Sequence, residues 1–286
     1  MNVQLAKHLY KELDLKKPNC MGKDYAIFEK YDGWYGYMDF VDGKSIGIMS
    51  RAHRLIPSTL NLSKVIVGSL TTALTGRLIF EITIPSIPDF STLNGVLNRS
   101  KGYCQAQGVV LKCHDFIANE NALFTSRYDA LETIVKSIKC DAVQLAPISA
   151  IGSYRDAQEL VKPIWERGGE GVILKQLDAP YYAGKRNSTL LKIKEDVDAD
   201  LLVIAVEEGK GKYLGTTGSL MCKDKAGHVH SISGMTDEQR YQWWTNHRLI
   251  VGKVIEIKAM KKLKDGGYRE PRFKAVRFDK TEKDID

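Results

Sequence analysis

Phe28-Glu29-Lys30-Tyr31-Asp32-Gly33-Trp34-Tyr35-Gly36 places a lysine and an aspartate two residues apart within an otherwise apolar, aromatic run. Residues 24–29 before it are β-prone, and residues 34–40 after it alternate like a half-buried strand. Lys30 therefore falls at a strand end or turn. Gly33 beside Asp32 permits a tight bend there, and side chains in such a place face a cleft rather than a core. A lysine amine is a weak nucleophile at its ordinary pKa of about 10.4, but burial and neighbouring cations lower that value and suit the group to covalent catalysis. Lys30 is thus a candidate nucleophile, with Asp32 as its hydrogen-bond or metal partner. The bland alternative is a charged hairpin turn, and Lys-x-Asp-Gly alone is too short to decide.

With 286 residues the chain has room for one large domain or two smaller ones. No apolar run is long enough to cross a bilayer. The first eleven residues carry charge too often for a signal-peptide core, so a cytoplasmic protein of a bacterium or a phage-infected cell is expected. The five cysteines (Cys20, Cys104, Cys113, Cys140, Cys222) are odd in number and never form Cys-x-x-Cys, which argues against a disulfide framework and a zinc knuckle. A net charge of +7 favours a polyanionic partner.

Outward from the opening stretch, residues 1–20 read as a short helix and a loop, with no room for a DNA-binding module before Asp24. Asp42-Gly43 signals a hairpin whose second strand ends at Arg51, a side chain placed to face a cleft. Apolar spacing predicts a helix over 58–74, ended by Gly76. Residues 77–84 form a strand apolar enough to be central, yet Glu81 interrupts it, and a carboxylate there is costly unless paired or useful. Further strands are expected at 107–117, 142–145 and 168–175, with helices over 89–99, 124–138 and 154–166. In 190–194 strict alternation puts Lys192 and Lys194 on one face.

Beyond residues 196–200 the texture changes to five short strands and one helix, what a small OB-type barrel needs. The expected division is 1–197 and 198–286. Lysines and arginines crowd between Lys253 and Lys280, among them Lys258, Lys261 and Lys262, forming a basic face with Tyr268, Phe273 and Phe278 interleaved. Gly209-Lys210-Gly211-Lys212 looks superficially like a phosphate loop but lacks Gly-Lys-Ser/Thr, so it reads as a hairpin turn. Taken together, Lys30, Asp32, Arg51, Glu81, Glu170, Lys192 and Lys194 on the strands of one domain make a cleft suited to a nucleoside triphosphate. Lysines neutralise phosphate oxygens, carboxylates hold a divalent metal, and another carboxylate accepts bonds from a ribose.

In this order the motifs resemble those of the covalent nucleotidyltransferases, and within them the minimal two-domain ATP-dependent DNA ligases of phages and bacteria. Lys30-Tyr31-Asp32-Gly33 looks like the nucleophile motif and Ser50-Arg51 like the Ser-Arg that follows it. Phe80-Glu81-Ile82 is similar to the ribose-binding motif, and His114-Asp115-Phe116 to the aromatic-Asp pair that stacks on adenine. Glu170-Gly171-Val172 and Leu191-Lys192-Ile193-Lys194 resemble the metal and α-phosphate motifs, and Arg277-Phe278-Asp279-Lys280 the final Arg-x-Asp-Lys. His114 departs from the usual Phe or Tyr, so either it or Phe116 takes the adenine.

The resemblance implies an α+β fold: an adenylation domain of antiparallel sheets flanked by helices, then an OB-fold domain. It implies ATP with Mg²⁺ or Mn²⁺ held by Glu170 and Asp32, and a lysyl-adenylate on Lys30. Nucleotide contacts would come from Lys30, Arg51, Glu81, His114 or Phe116, Lys192, Lys194, Arg277 and Lys280. The expected partner is nicked duplex DNA, gripped by Arg51, Arg186, Lys258, Lys261 and Lys262, with the enzyme a monomer and no membrane involved. An RNA ligase, a capping guanylyltransferase and a noncatalytic DNA-binding relative are the rival readings.

Overall fold

A computed structural model describes residues 1–9, 20–87, 90–98, 106–263 and 266–286, and the chain falls into two units, Met1–Lys194 and Glu195–Asp286. The strands of the first unit are β1 (Leu5–His8), β2 (Tyr25–Glu29), β3 (Trp34–Phe40), β4 (Met49–Ser50), β5 (Gly76–Thr83), β6 (Val110–Ile117), β7 (Val143–Leu145), β8 (Ala150–Gly152), β9 (Gly171–Gln176) and β10 (Arg186–Lys194). They make two five-stranded sheets, in the orders β1-β10-β9-β2-β8 and β4-β3-β5-β6-β7. Among the described residues the helices that accompany them are α1 (Leu60–Gly68), α2 (Phe90–Leu97), α3 (Phe124–Ser137) and α4 (Tyr154–Glu166).

Strand alternation assigns the faces. Tyr25 and Ile27 of β2, Val172 and Leu174 of β9, and Leu191 and Ile193 of β10 join Ala157, Val161 and Ile164 of α4 in one core. On the second sheet Met38, Leu78, Phe80, Ile82, Leu111 and Cys113 meet Ile66 of α1, Leu93 of α2 and Leu131 of α3 in another. The opposite faces carry the polar side chains singled out by sequence. α4 starts at a capping box: Ser153 Oγ accepts from the Asp156 N–H, and the Asp156 carboxylate accepts from the Ser153 N–H at 2.7 Å.

The second unit has β11 (Val197–Glu208), β12 (Thr217–Lys223), β13 (Val229–Ile232), β14 (Val254–Ala259), β15 (Lys261–Lys262), β16 (Tyr268–Arg269), β17 (Arg272–Val276) and the helix α5 (Asp237–Thr245). Its main sheet runs β13-β12-β11-β14-β17, and the two edges meet where the Phe273 N–H donates to the Ser233 carbonyl at 2.7 Å. Leu201, Val203, Leu220, Ile232, Ile255 and Ile257 fill the core with Trp243 of α5. The glycine-rich segment after β11 is a connection between paired strands, as expected of a hairpin.

Several expectations are corrected. Residues 5–8 are a strand, because β1 pairs parallel to β10, a partner 180 positions away; the remaining expected helix and loop, residues 10–19, lie outside the described residues. The helix expected over 58–74 stops at Gly68, and Gly76 opens β5 instead of ending a helix. The hairpin at Asp42-Gly43 forms with both residues at positive φ, but only Met49–Ser50 of the expected second strand pairs. β8 went unnoticed in the sequence. On the expected basic face, Tyr268 is buried in the core and Phe273 stacks edge-on against Trp243 at 5.3 Å, so only Phe278 presents an exposed ring. The second unit begins at Glu195, three residues before the boundary read from sequence. Cys113, Cys140 and Cys222 are free thiols, Cys20 is buried, and Cys104 lies outside the described residues.

Candidate active site

The register of three strands builds the centre of the site. β2 pairs with β9 so that Glu29 faces Val172, and the ladder continues one step as the Lys30 N–H donates to the Gly171 carbonyl at 2.8 Å. Lys30 thus leaves the strand end directly beside Glu170, and its Nζ donates to Glu170 Oε2 at 2.6 Å. β10 pairs Lys194 with Gly171 and Lys192 with Ile173, which lines two more ammonium groups along the same ladder end. The Trp165 indole N–H, from the last turn of α4, donates to the Glu170 carbonyl at 3.3 Å and holds this corner.

Glycine is required at 171. Its φ is +147°, and a Cβ there would stand 2.0 Å from the Ile193 carbonyl oxygen of the neighbouring strand. Gly171→Ala is expected to cost about 3 kcal/mol or more, the sum of backbone strain and displaced backbone, read as a lower urea midpoint. Gly33 is needed for a different reason from the bend read in sequence. Its backbone lies so close to β5 that a Cβ would meet the Ile82 carbonyl oxygen at 2.6 Å.

That close approach brings the Lys30 turn over Glu81 of the facing sheet. Burial pushes the Glu81 carboxyl up to about 7; Lys30 and Arg51 pull it down, while Glu170 and Asp32 push it further up. Lys30, Arg51, Glu170 and Asp32 therefore all lie close enough to act on Glu81. Burial also lowers the Lys192 ammonium, with Lys194, Lys30 and Arg186 adding to the effect. The exposed Arg51 guanidinium lies 5.2 Å from the ring centre of Tyr35, the residue of β3 directly opposite Glu81. Arg186 is exposed and donates to the Ala6 carbonyl at 2.5 Å.

His114 and Phe116, the two adenine candidates, are set apart by an irregularity. β5 and β6 pair Phe80 with Cys113 and Ile79 with Asp115, leaving His114 as an extra residue in a bulge. The bulge turns His114 and Asp115 to the Glu81 side. Phe116 returns to the opposite face and is buried with Leu78 in the helix-side core, away from the face that carries Glu81. Behind His114 lies a buried ion cluster that sequence reading missed. Lys175 Nζ donates to Asp115 Oδ2 at 2.9 Å, and Arg127 Nε donates to Asp115 Oδ1 at 2.9 Å. The available signal was Lys175 itself, a charge on an otherwise apolar strand.

In the second unit Arg277 donates to both carboxylate oxygens of Asp279, at 2.9 and 2.7 Å, and also reaches Asp200 at 3.3 Å. Lys280 bonds Asp200 as well. Hydrogen bonding to Arg277 holds Asp279 down at about 2. Lys258 pairs with Asp196 at 3.3 Å, and Lys261 and Lys262 form the short strand β15, with the Lys262 ammonium 5.5 Å from the Tyr268 ring centre.

An α+β unit with a lysine, carboxylates and paired lysines converging at one ladder end, followed by an OB-like unit bearing Arg-x-Asp-Lys, defines the adenylation-plus-OB class of chain. Residues 4–194 match the ATP dependent DNA ligase domain and residues 208–277 the DNA ligase OB-like domain, so the chain belongs to the ATP-dependent DNA ligase family. A DNA ligase of Thermococcus onnurineus is 30% identical over 189 residues, 57% of this chain and 33% of the relative. The chain thus spans about a third of that curated relative. Among solved structures, a Lig E DNA ligase superposes with a TM-score of 0.74 at 23% identity, covering 97% of this chain and 99% of that one. The ATP-dependent DNA ligase of bacteriophage T7 in complex with ATP gives 0.52 at 17% identity, covering 97% and 98%. At such identities the likeness concerns the fold.

Proposed function

We propose that this chain is an ATP-dependent DNA ligase that seals nicks with a 5′-phosphate and a 3′-hydroxyl in duplex DNA. One observation carries the reading: a lysine at a strand end, 2.6 Å from a carboxylate, with two further lysines on the adjoining strand and an inward carboxylate on the facing sheet. Lys30 Nζ, deprotonated, attacks the α-phosphorus of ATP; the bond to the bridging oxygen breaks and pyrophosphate leaves. Lys192 and Lys194 offset the charge gathering on the α-phosphate. A 5′-phosphate oxygen of the nick then attacks the lysyl-adenylate, the P–N bond breaks and the amine recovers a proton. Finally the 3′-hydroxyl attacks the 5′-phosphorus and AMP departs.

Glu81 is assigned to the ribose, and Arg51 and Arg186 to the strand near the nick. Arg277 and Lys280 are assigned to the pyrophosphate end; their ion pairs with Asp200 and Asp279 must open for that role. Among the described residues no group of three or more His, Cys, Asp or Glu side chains forms a metal cage. The hard carboxylate oxygens of Glu170 and Asp32 suit a cation that takes one or two protein ligands and completes its shell from phosphates and water. Bound there, Mg²⁺ would withdraw charge from the phosphate oxygens. The same proposal makes the protein a cytoplasmic monomer; among the described residues no helix is long and apolar enough to cross a membrane.

The test is parallel incubation with α-labelled ATP and GTP, then with a nicked duplex. The expected result is an acid-labile, SDS-stable AMP adduct and a sealed strand; labelling by GTP alone would point to a capping enzyme, and binding without an adduct to a noncatalytic relative. The DNA grip assigned to Arg51, Arg186, Lys258, Lys261 and Lys262 rests on phosphate contacts. Four or more of them predict that affinity for the nicked duplex falls roughly a hundredfold between about 50 and 200 mM salt. A salt slope near zero in a gel-shift titration overturns that assignment.

A further inference from the structure

An ammonium group has three N–H donors and no acceptor. Lys175 Nζ meets three acceptors, the His114 carbonyl at 2.8 Å, Asp115 Oδ2 at 2.9 Å and His114 Nδ1 at 3.0 Å. Its three hydrogens are thereby all used, and the one directed at the imidazole requires a lone pair on Nδ1. The imidazole proton must then sit on Nε2. The lysine itself is fixed from behind by Asp115, which Arg127 holds from α3, and lies 5.1 Å from the Phe124 ring centre.

We infer that Lys175 is a positioning residue that locks His114 in one uncharged tautomer, with its proton on Nε2, and so makes the imidazole the surface against which the purine of the nucleotide lies. The bulge in β6 supplies the orientation, turning His114 to the face of the sheet that carries Glu81. The charged groups that meet the ring are Lys175 from β9, Asp115 on its own strand and Arg127 behind Asp115. Burial holds the imidazole far below its ordinary value, at about 3, and Lys175 adds to that, whereas Asp115 opposes it. A ring that stays neutral offers the base a flat face and one N–H donor throughout the range in which a free histidine would change charge.

The assignment of the base rests on the proposed nucleotide reading, but the tautomer does not, and the two fail separately. The full chain labelled with ¹⁵N-histidine has six imidazoles, and His114 is identified by its loss in His114→Phe. Two-bond ¹⁵N–¹H correlation spectra are expected to show His114 protonated at Nε2 alone and unchanged between pH 5 and 8. In Lys175→Met the ring should become a tautomer mixture and titrate within that window. Protonation at Nδ1 in the wild type, or a titration midpoint near that of free imidazole, overturns the inference without any variant. ATP added to the wild type should shift the His114 resonances, and in AMP-adduct formation His114→Ala should raise KM for ATP roughly tenfold, with His114→Phe, which restores a ring but no N–H donor, recovering only part of that loss. An Nε2-protonated His114 that ATP leaves unmoved, in a chain that still forms the AMP adduct, overturns the base assignment alone.

Discussion

Lys30→Ala is expected to lower formation of the AMP adduct by at least about a thousandfold, because the amine is the atom that bonds to phosphorus and no second group replaces it. Lys30→Arg should be as severe. A guanidinium does not give up its proton in a protein, so it preserves the ion pair to Glu170 but supplies no lone pair. The loss should be specific to the first chemical step. A nick already carrying 5′-adenylate needs only the attack of its own 3′-hydroxyl, so both variants should still seal that substrate, at a rate set by the remaining charges rather than by the amine. The assay is single-turnover labelling beside sealing of a pre-adenylylated nick. Labelling of Lys30→Ala at the wild-type rate, or an adduct mapped to a different lysine, removes the nucleophile from the assignment.

Much of this centre was legible because its residues obey period-two alternation. Lys192 and Lys194 share a face for that reason, and Glu81 stood out because β5 is otherwise apolar. Where the period breaks, local reading fails. His114 and Phe116 are two apart and belong on one face of a regular strand, but the bulge opposite Ile79 and Phe80 sends them to opposite sides. β1 was missed because its pairing partner is the distant Arg186–Lys194 strand and nothing in residues 5–8 themselves announces it. The helix after Pro57 was overextended because Leu70 and Leu74 keep helical spacing; they pack on the same core from an irregular segment. Asp115, Lys175 and Arg127 lie on three different elements, and only tertiary structure brings their charges together.

That buried trio carries the largest stability effect. The side chains of Asp115, Arg127 and Lys175 are 3%, 5% and 9% exposed, so neither cation has water as a substitute partner. Asp115→Asn leaves two buried cations without countercharge and should destabilise the first unit by about 3–5 kcal/mol, the range for breaking one partner of a buried pair. For a unit of this size that corresponds to a melting temperature roughly 10 °C lower or more. Replacing all three by apolar residues of similar volume should recover much of the loss, since no buried charge then remains. Acid offers a second reading of the same contact. Burial alone would raise the Asp115 carboxyl, but Lys175 and Arg127 outweigh it and hold it at about 2. Its folded value lies below the unfolded one near 3.8, so its contribution is complete above that pH and disappears as pH falls towards 2. The wild type should therefore lose on the order of 2 kcal/mol across that interval through this group, and Asp115→Asn, with nothing to protonate there, should lose correspondingly less. Urea titrations of both proteins at several pH values measure the difference; parallel acid profiles would show that the carboxylate does not hold the two sheets together.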